Sequence, residues 1–300
     1  MKNLILDSNN LLHRTYWVAH AASLKEETTT NEAVAVSLFL NAFLNYVDLF
    51  GPDKIYAAWD KRISHGQTNF RKELTNHTYK AGRDKSQIED IHQYDTRIEE
   101  ILSSLGVKNI FPNVLEADDV ISWICNQEGD HTVVSVDGDL LQLVSPSVTV
   151  YNPIKKLNVT LKNFSAITTV EKKYFLTYKA LLGDKSDNIG GLYLVGPVKG
   201  AKLARQIVDK GNTVGILTDE QYEIYKRNVS LMDLQEGFKY NDEYTHYEKQ
   251  LVDKFPQRDY KRFLGICEEL HLERVISNKN RWYNKFFAEN RLTSLIESLK

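Results

Sequence analysis

The chain has 300 residues, 42% hydrophobic and 26% charged, with a formal net charge of -2. That balance excludes a disordered or low-complexity chain and suits one large α/β domain with a smaller second one. A near-neutral total does not exclude a nucleic-acid partner, because the bases gather in two windows while the acids cluster in short motifs.

The chain opens on Asn3-Leu4-Ile5-Leu6, an apolar run ending at Asp7 and followed by Ser8, Asn9 and Asn10. It reads as a buried parallel strand whose carboxyl end carries an acid. No signal h-region precedes it, and no apolar stretch reads as long enough to span a bilayer, so a soluble, cytoplasmic protein without a membrane partner is expected. Residues 31–50 have helical apolar spacing and are closed by Gly51-Pro52. Lys54-Ile55-Tyr56-Ala57-Ala58-Trp59 reads as a second strand, ending at Asp60. Residues 61–85 differ in kind: Lys61, Arg62, Arg71, Lys72, Lys80, Arg83 and Lys85 outnumber Glu73 and Asp84, with Phe70 and Tyr79 interleaved. Such a window is either a solvated face or, directly after a strand-end acid, an element that tracks phosphates.

Residues 86–105 form an amphipathic helical pattern, and 107–111 a strand. Leu115-Glu116-Ala117-Asp118-Asp119-Val120-Ile121 then packs three carboxylates into four positions ahead of a helical run. Acids are favoured at a helix N-terminus by the dipole, so both a helix start and a metal site remain open for these residues taken alone. Residues 131–136 read as a strand ending in Asp137-Gly138-Asp139, and 148–151 with 156–161 as an edge pair about Asn152-Pro153. A helix over 171–182 stops at Gly183 before Asp184-Lys185-Ser186-Asp187, and a glycine-rich loop over 190–200 leads into a helix over 201–210. Thr218 with Gln221 is a capping box opening a further helix through Leu231, and 257–272 is helical again. The terminal Leu292, Leu295, Ile296, Leu299 stripe is packing surface or a partner-binding helix. Cys125 and Cys267 lack a CxxC or His partner and read as buried free thiols in a reducing compartment.

In open parallel α/β sheets, ligands bind beyond the carboxyl ends of the strands. Asp7, Asp60, Asp137 and Asp139 take that position, Glu116, Asp118 and Asp119 open a helix at the same sheet end, and Asp184 and Asp187 follow in a later turn. Any one of them could be a cap, but together they would repel intolerably without cations. An oxygen-only set suits Mg²⁺ or Mn²⁺ better than zinc, and two such ions about 4 Å apart are the apparatus of phosphodiester hydrolysis. Dinucleotide binding is disfavoured, because the first strand is followed by Asp-Ser-Asn-Asn and not by GxGxxG.

The motifs LILDSNN, AWD, FRKEL, TYKAGR, LEADDVI, VDGDLLQLV and LLGDKSDNI, in this order over residues 4 to about 210, resemble the 5′-nuclease (flap endonuclease / 5′–3′ exonuclease) family. The 220–234 segment EQYEIYKRNVSLMDL is similar to its phage branch. The resemblance implies a PIN-like α/β core, with a central, mostly parallel sheet flanked by helices, and a smaller helical domain with a helix-hairpin-helix-like motif. Residues 1–182 would be the catalytic domain, with a basic arch over about 61–95, and 183–300 the helical one, with its hairpin over about 188–210. Asp7, Asp60, Glu116, Asp118 and Asp119 would form a first Mg²⁺ site, and Asp137, Asp139, Asp184 and Asp187 a second, with Mn²⁺ as a substitute. Lys80 and Arg83 would steer the scissile phosphate, with Asp119 the third catalytic residue. Tyr79 would stack near an unpaired nucleotide, Arg71 would contact substrate, and Lys199, Lys202 and Arg205 would hold phosphates.

The implied activity is structure-selective 5′–3′ exonuclease, flap endonuclease and ribonuclease H-like primer removal in replication and repair. The implied partners are DNA and RNA–DNA hybrids with 5′ single-stranded flaps or ends, with a sliding clamp or single-strand-binding protein as a docking partner of a monomer. One departure stands out: in Leu194-Val195-Gly196-Pro197-Val198-Lys199, Leu194 replaces the family's first glycine and the lysine is moved by one. Leucine adopts a positive φ less readily than glycine, so a weakened duplex grip and monovalent-cation site are expected in that loop. A PIN-type single-strand ribonuclease and a catalytically idle DNA-binding protein are the competing readings; the idle form predicts lost carboxylates, whereas every acidic motif is intact.

Overall fold

A computed structural model of the protein describes residues 1–25, 32–60, 69–81, 91, 94–236, 248–251 and 254–288. Its strands are β1 (Lys2–Asp7), β2 (Lys54–Ala58), β3 (Lys108–Ile110), β4 (Asp130–Val134), β5 (Val148–Asn152) and β6 (Leu157–Val159), arranged β3-β2-β1-β4-β5-β6. Every pairing is parallel except β5 with β6. The chain builds outward from β1 through β2 to β3, then returns to the other side of β1 with β4. The carboxyl end of β1 therefore lies at a topological switch point, where open α/β sheets place their ligands. Register brings the strand ends level: Asp7 lies opposite Ala58 of β2, and Leu6 opposite Val134 of β4.

β1 is apolar on both faces because both are covered. Leu4 and Leu6 enter one core and Ile5 the other, following the two-residue period of a strand. The helices are, in chain order, α1 (Ser8–Lys25), α2 (Glu32–Phe50), α3 (Phe70–Leu74), α4 (Asp95–Ser104), α5 (Ala117–Cys125), α6 (Phe164–Thr168), α7 (Phe175–Leu182), α8 (Pro197–Lys210), α9 (Asp219–Met232), α10 (Tyr260–Glu269), α11 (Glu273–Ser277) and α12 (Lys279–Trp282). Leu11, Phe39, Phe43, Ile98, Phe263 and Trp282 join Leu4 and Leu6 in the first core, so the late helices α10 to α12 pack back onto α1, α2 and α4. Val120, Ile124, Leu181, Ala204 and Ile207 join Ile5 in the second.

Two sequence expectations need correction, and α1 is an element the sequence reading did not anticipate. α1 was not legible as a helix, since its polar Ser-Asn-Asn start hides a face that buries Leu11, Leu12, Tyr16 and Ala19. α2, with 19 residues and a mean hydropathy of 1.6, is long and apolar enough to cross a bilayer by length and composition; half of it is buried, as in a core helix. α8 begins at Pro197 and not at 201, because proline at the first helical position has its φ preset and needs no hydrogen-bonded N–H. Arg83, the basic stretch 61–68, the start of the 86–105 helix and the terminal leucine stripe lie outside the described residues.

After α7 the chain makes a tight antiparallel corner from β7 (Gly183–Asp184) and β8 (Ile189–Gly190). A Cβ on Gly191 would sit 2.0 Å from the Leu182 carbonyl oxygen, so only glycine fits there. That corner presents the Asp184 to Asp187 turn to the rest of the acids.

Candidate active site

Asp7 ends β1 as a buried carboxylate, and two neighbours orient it. The Ser135 hydroxyl donates to one oxygen at 2.6 Å and the Asn10 amide to the other at 3.1 Å. Ser135 follows β4, so this hydrogen bond ties together the strands on either side of the switch point. Asp60 sits two residues past β2 and accepts the Ala117 amide at 2.7 Å, which fixes the start of α5 against the sheet. The Asp60 amide in turn donates to Asn9 at 2.6 Å. Ser135, Asn9 and Asn10 were not singled out from sequence, although Asn9 and Asn10 lie in the polar run directly after Asp7.

The electrostatics separate these acids into two kinds. Burial pushes Asp7 up to about 7 against its hydrogen bonds from Ser135 and Asn10, with Asp137 and Asp60 adding repulsion. Asp118 is pushed well up by burial, then by Asp137 and Asp7. Asp137 is raised too, by desolvation first, with Lys179 opposing and Asp187 contributing. These carboxylates feel one another across the rim. Glu116 goes the other way, to about 2: burial raises it, but Lys80 and Arg71 outweigh burial.

Asp119 does not join the rim. It is fully buried, and both its oxygens receive the Arg71 guanidinium at 2.7 Å, a bidentate pair. It also accepts the Glu116 amide at 3.1 Å, so its carboxylate closes the first turn of α5 and offers no face to a ligand. The helix-start reading of the motif holds for Asp119, and the expectation of a ligand there gives way. Arg71 needs the same correction. At 2% exposure, with its Nε donating to the Leu231 carbonyl at 2.9 Å, it is an internal brace between α3, α5 and α9 and not a substrate contact. Tyr79 is 5% exposed among Ala180, Ile189, Leu231 and Met232, so its ring is not available for stacking on a base. Its hydroxyl donates to Glu116 at 2.9 Å and to Asp187 at 3.1 Å, bridging the two expected clusters. Lys80 does face the acids, with Nζ 2.6 Å from Glu116, and its amide donates to the Asp187 carbonyl at 3.1 Å.

In the second group, the Lys179 ammonium pairs with Asp139 and, at 3.1 Å, with Asp184. The Ser186 amide and hydroxyl hold the other Asp184 oxygen at 2.8 and 2.5 Å. Asp139 donates its own amide to Asp137 at 2.8 Å. Lys179 was not singled out from sequence; its signal was a lysine five residues before Asp184, on the face of α7 that looks toward the turn.

Lys199, Lys202 and Arg205 recur every three residues along α8, all exposed. In the loop before them, Leu194 takes φ +54° while 74% exposed, so the left-handed conformation is kept despite the lost glycine. The fully buried Asn228 of α9 supports this corner, donating to the Ala180 and Gly190 carbonyls at 2.8 Å each.

Among the described residues, no three His, Cys, Asp or Glu side chains stand in a ready-made coordination arrangement. The donor chemistry nevertheless fits a hard divalent cation. Asp7, Asp118 and Asp137 offer oxygen only, and their mutual repulsion is what a cation would relieve.

Residues 2–174 match the family described as 5′-3′ exonuclease, N-terminal resolvase-like domain. The 5′-3′ exonuclease of Bacillus subtilis is 32% identical over 216 residues, covering 68% of this chain and 70% of that protein. DNA polymerase I of Caldicellulosiruptor bescii is 31% identical over 218 residues, 69% of this chain but 24% of the polymerase, so the chain spans about a quarter of that relative's length. The bacteriophage T5 flap endonuclease, in a pseudo-enzyme–product complex with DNA and metal ions, shares the fold at a TM-score of 0.65, with 19% identity over 84% of this chain and 98% of that one. With its acids gathered at the switch point of a mostly parallel sheet flanked by helices, the chain belongs to the 5′–3′ exonuclease family of nucleases.

Proposed function

We propose that the protein is a Mg²⁺-dependent, structure-selective 5′ nuclease that cuts DNA or RNA–DNA substrates near the junction between a 5′ single strand and a duplex. The observation that carries this reading is the gathering of Asp7, Asp60, Glu116 and Asp118 at the switch point, where burial first and Asp137 second push Asp7 and Asp118 up, with the Lys80 ammonium 2.6 Å from Glu116. Asp7, Asp60, Glu116 and Asp118 would hold one ion, and Asp137, Asp139, Asp184 and Asp187 a second, with Mn²⁺ as a substitute. When bound, such a pair polarises the phosphoryl oxygens and neutralises the charge that develops on them.

The protein's own groups do the rest. Ser135 and Asn10 aim the Asp7 oxygens, and Asp60 holds the α5 amide that sets the direction of Asp118. Lys80 brings a positive charge to the rim on a turn pinned to Asp187, where a scissile phosphate would exchange with Glu116. Arg83 would add to it from the arch. Lys199, Lys202 and Arg205 would grip the duplex backbone, setting register without reading sequence. In this reading the sheet domain together with the Asp184–Asp187 turn carries the chemistry and α8 supplies the duplex grip, while α10 to α12 belong to the core of the sheet domain, in a cytoplasmic monomer, or in the host cytoplasm if phage-encoded. Removal of RNA primers, docking to a clamp or single-strand-binding protein, and a monovalent cation in the hairpin loop belong to the same proposal.

The test is a 5′-labelled flap substrate incubated with Mg²⁺ or with a chelator. Short labelled products ending near the junction, seen only with the metal, are expected. Equal cleavage of bare single-stranded RNA would instead favour a single-strand ribonuclease.

A further inference from the structure

The two groups of acids differ in how their charge is balanced. At the Asp7, Asp118 and Asp137 rim, burial raises the carboxylates' affinity for protons, and Asp137 adds repulsion at Asp7 and Asp118. At Asp139 and Asp184 the repulsion is already offset in part, because a single ammonium lies between them. Lys179 projects from the last turn of α7, where a cation also meets the negative end of the helix dipole. Its side chain is 16% exposed, against 19% for Asp139 and 20% for Asp184, so the triad is largely withdrawn from water. Both Asp184 oxygens are engaged, one by Ser186 and the other by Lys179. Asp184 is accordingly held below the usual carboxylate range: burial raises it, but the Ser186 hydrogen bond and Lys179 outweigh burial.

We propose that Lys179 is a resident cation of the Asp139–Asp184 pair, a positioning residue that holds the second acidic group together and that an incoming divalent ion must displace. The proposal rests on the reading of these acids as metal ligands. Without metal, the ammonium keeps two acids from distant parts of the chain, the 3₁₀ turn Asp139–Leu143 and β7, from repelling each other apart. With metal, the same ammonium competes for the carboxylate oxygens and makes the second site the weaker of the two. It is then released at the rim, where a phosphate would take it up.

The test is calorimetric titration of the full chain with Mg²⁺ and with Mn²⁺, comparing the wild type with Lys179→Met and Lys179→Arg. Two binding events are expected in the wild type. In Lys179→Met the weaker event should tighten about tenfold while the tighter one stays in place, and Lys179→Arg should stay within about twofold of wild type. In chelator, Lys179→Met should melt below the wild type and gain more from added Mg²⁺. Should the methionine variant not fold, lysine acylation mapped by mass spectrometry on the wild type gives the answer: Lys179 should become more reactive when Mg²⁺ saturates the protein. Two bound ions with an unchanged or loosened weaker site, or Lys179 reactivity unmoved by metal, overturns the resident-cation role alone. No divalent binding to the wild type overturns the metal reading and this role with it.

Discussion

Asp118 and Asp119 are neighbours in sequence and opposites in environment. Asp118 faces other carboxylates and is pushed well up by burial and by Asp137, whereas Asp119 is locked on both oxygens by Arg71. Breaking such a buried pair from one side leaves an uncompensated charge, so Arg71→Met should cost about 3–5 kcal/mol in urea unfolding. A surface substrate contact would cost almost nothing. The rim also sets a pH dependence. Folded Asp7 holds its proton up to about 7, against 3.8 for an unperturbed carboxyl, so between those values the folded state binds more protons than the unfolded one. Stability of the metal-free protein should therefore fall as pH rises through that window and level off above it. Melting curves in chelator check this, and saturating Mg²⁺ should flatten or reverse the slope. The residue types at the rim were legible because strand ends and acids coincide in the sequence. That Asp119, Arg71 and Tyr79 turn inward was not, because their partners lie 37 to 160 positions away, as in Tyr79 with Glu116 and Arg71 with Leu231.

At the scale of elements, strands and capped helices were the most readable. β1 is apolar on both faces, and α9 opens on the Thr218–Gln221 capping box. α1 was hidden by its polar start, and α3 by its five-residue length inside a basic window. The hairpin loop shows where composition misleads. A leucine in place of glycine suggested a lost conformation, yet Leu194 adopts φ +54°. A left-handed leucine costs about 1–2 kcal/mol, and this side chain is mostly exposed. Leu194→Gly should therefore be neutral or stabilising by up to about 1 kcal/mol after the added chain entropy of glycine, measured by chemical denaturation. The same change at an ordinary helical position would destabilise.

For the whole molecule, the order β3-β2-β1-β4-β5-β6 explains why acids from separate stretches meet, since the strands on both sides of β1 end at one rim. The periodicity of each strand was visible in the sequence, but their lateral order was not. α8 carries Lys199, Lys202 and Arg205 on the corner that follows Asp184 and Asp187. If those bases hold duplex phosphates, replacing all three with alanine should lower the slope of log affinity against log salt by about 0.9 per lost contact, with little dependence on sequence. Fluorescence anisotropy of a labelled duplex at several salt concentrations measures it.

In the proposed cutting centre, Asp7 and Asp118 hold one metal ion and Asp137 the other. Its most direct test is single-turnover cleavage of a 5′-labelled flap substrate with Mg²⁺ by the wild type and by Asp118→Asn, with calorimetric metal binding measured on the same preparations. Asp118→Asn should fold, stay at least as stable as the wild type in chelator because the cost of burying an ionisable carboxyl is gone, bind metal more weakly, and cut about a hundredfold or more slowly. An Asp118→Asn variant that binds Mg²⁺ and cuts the flap at the wild-type rate would contradict this assignment.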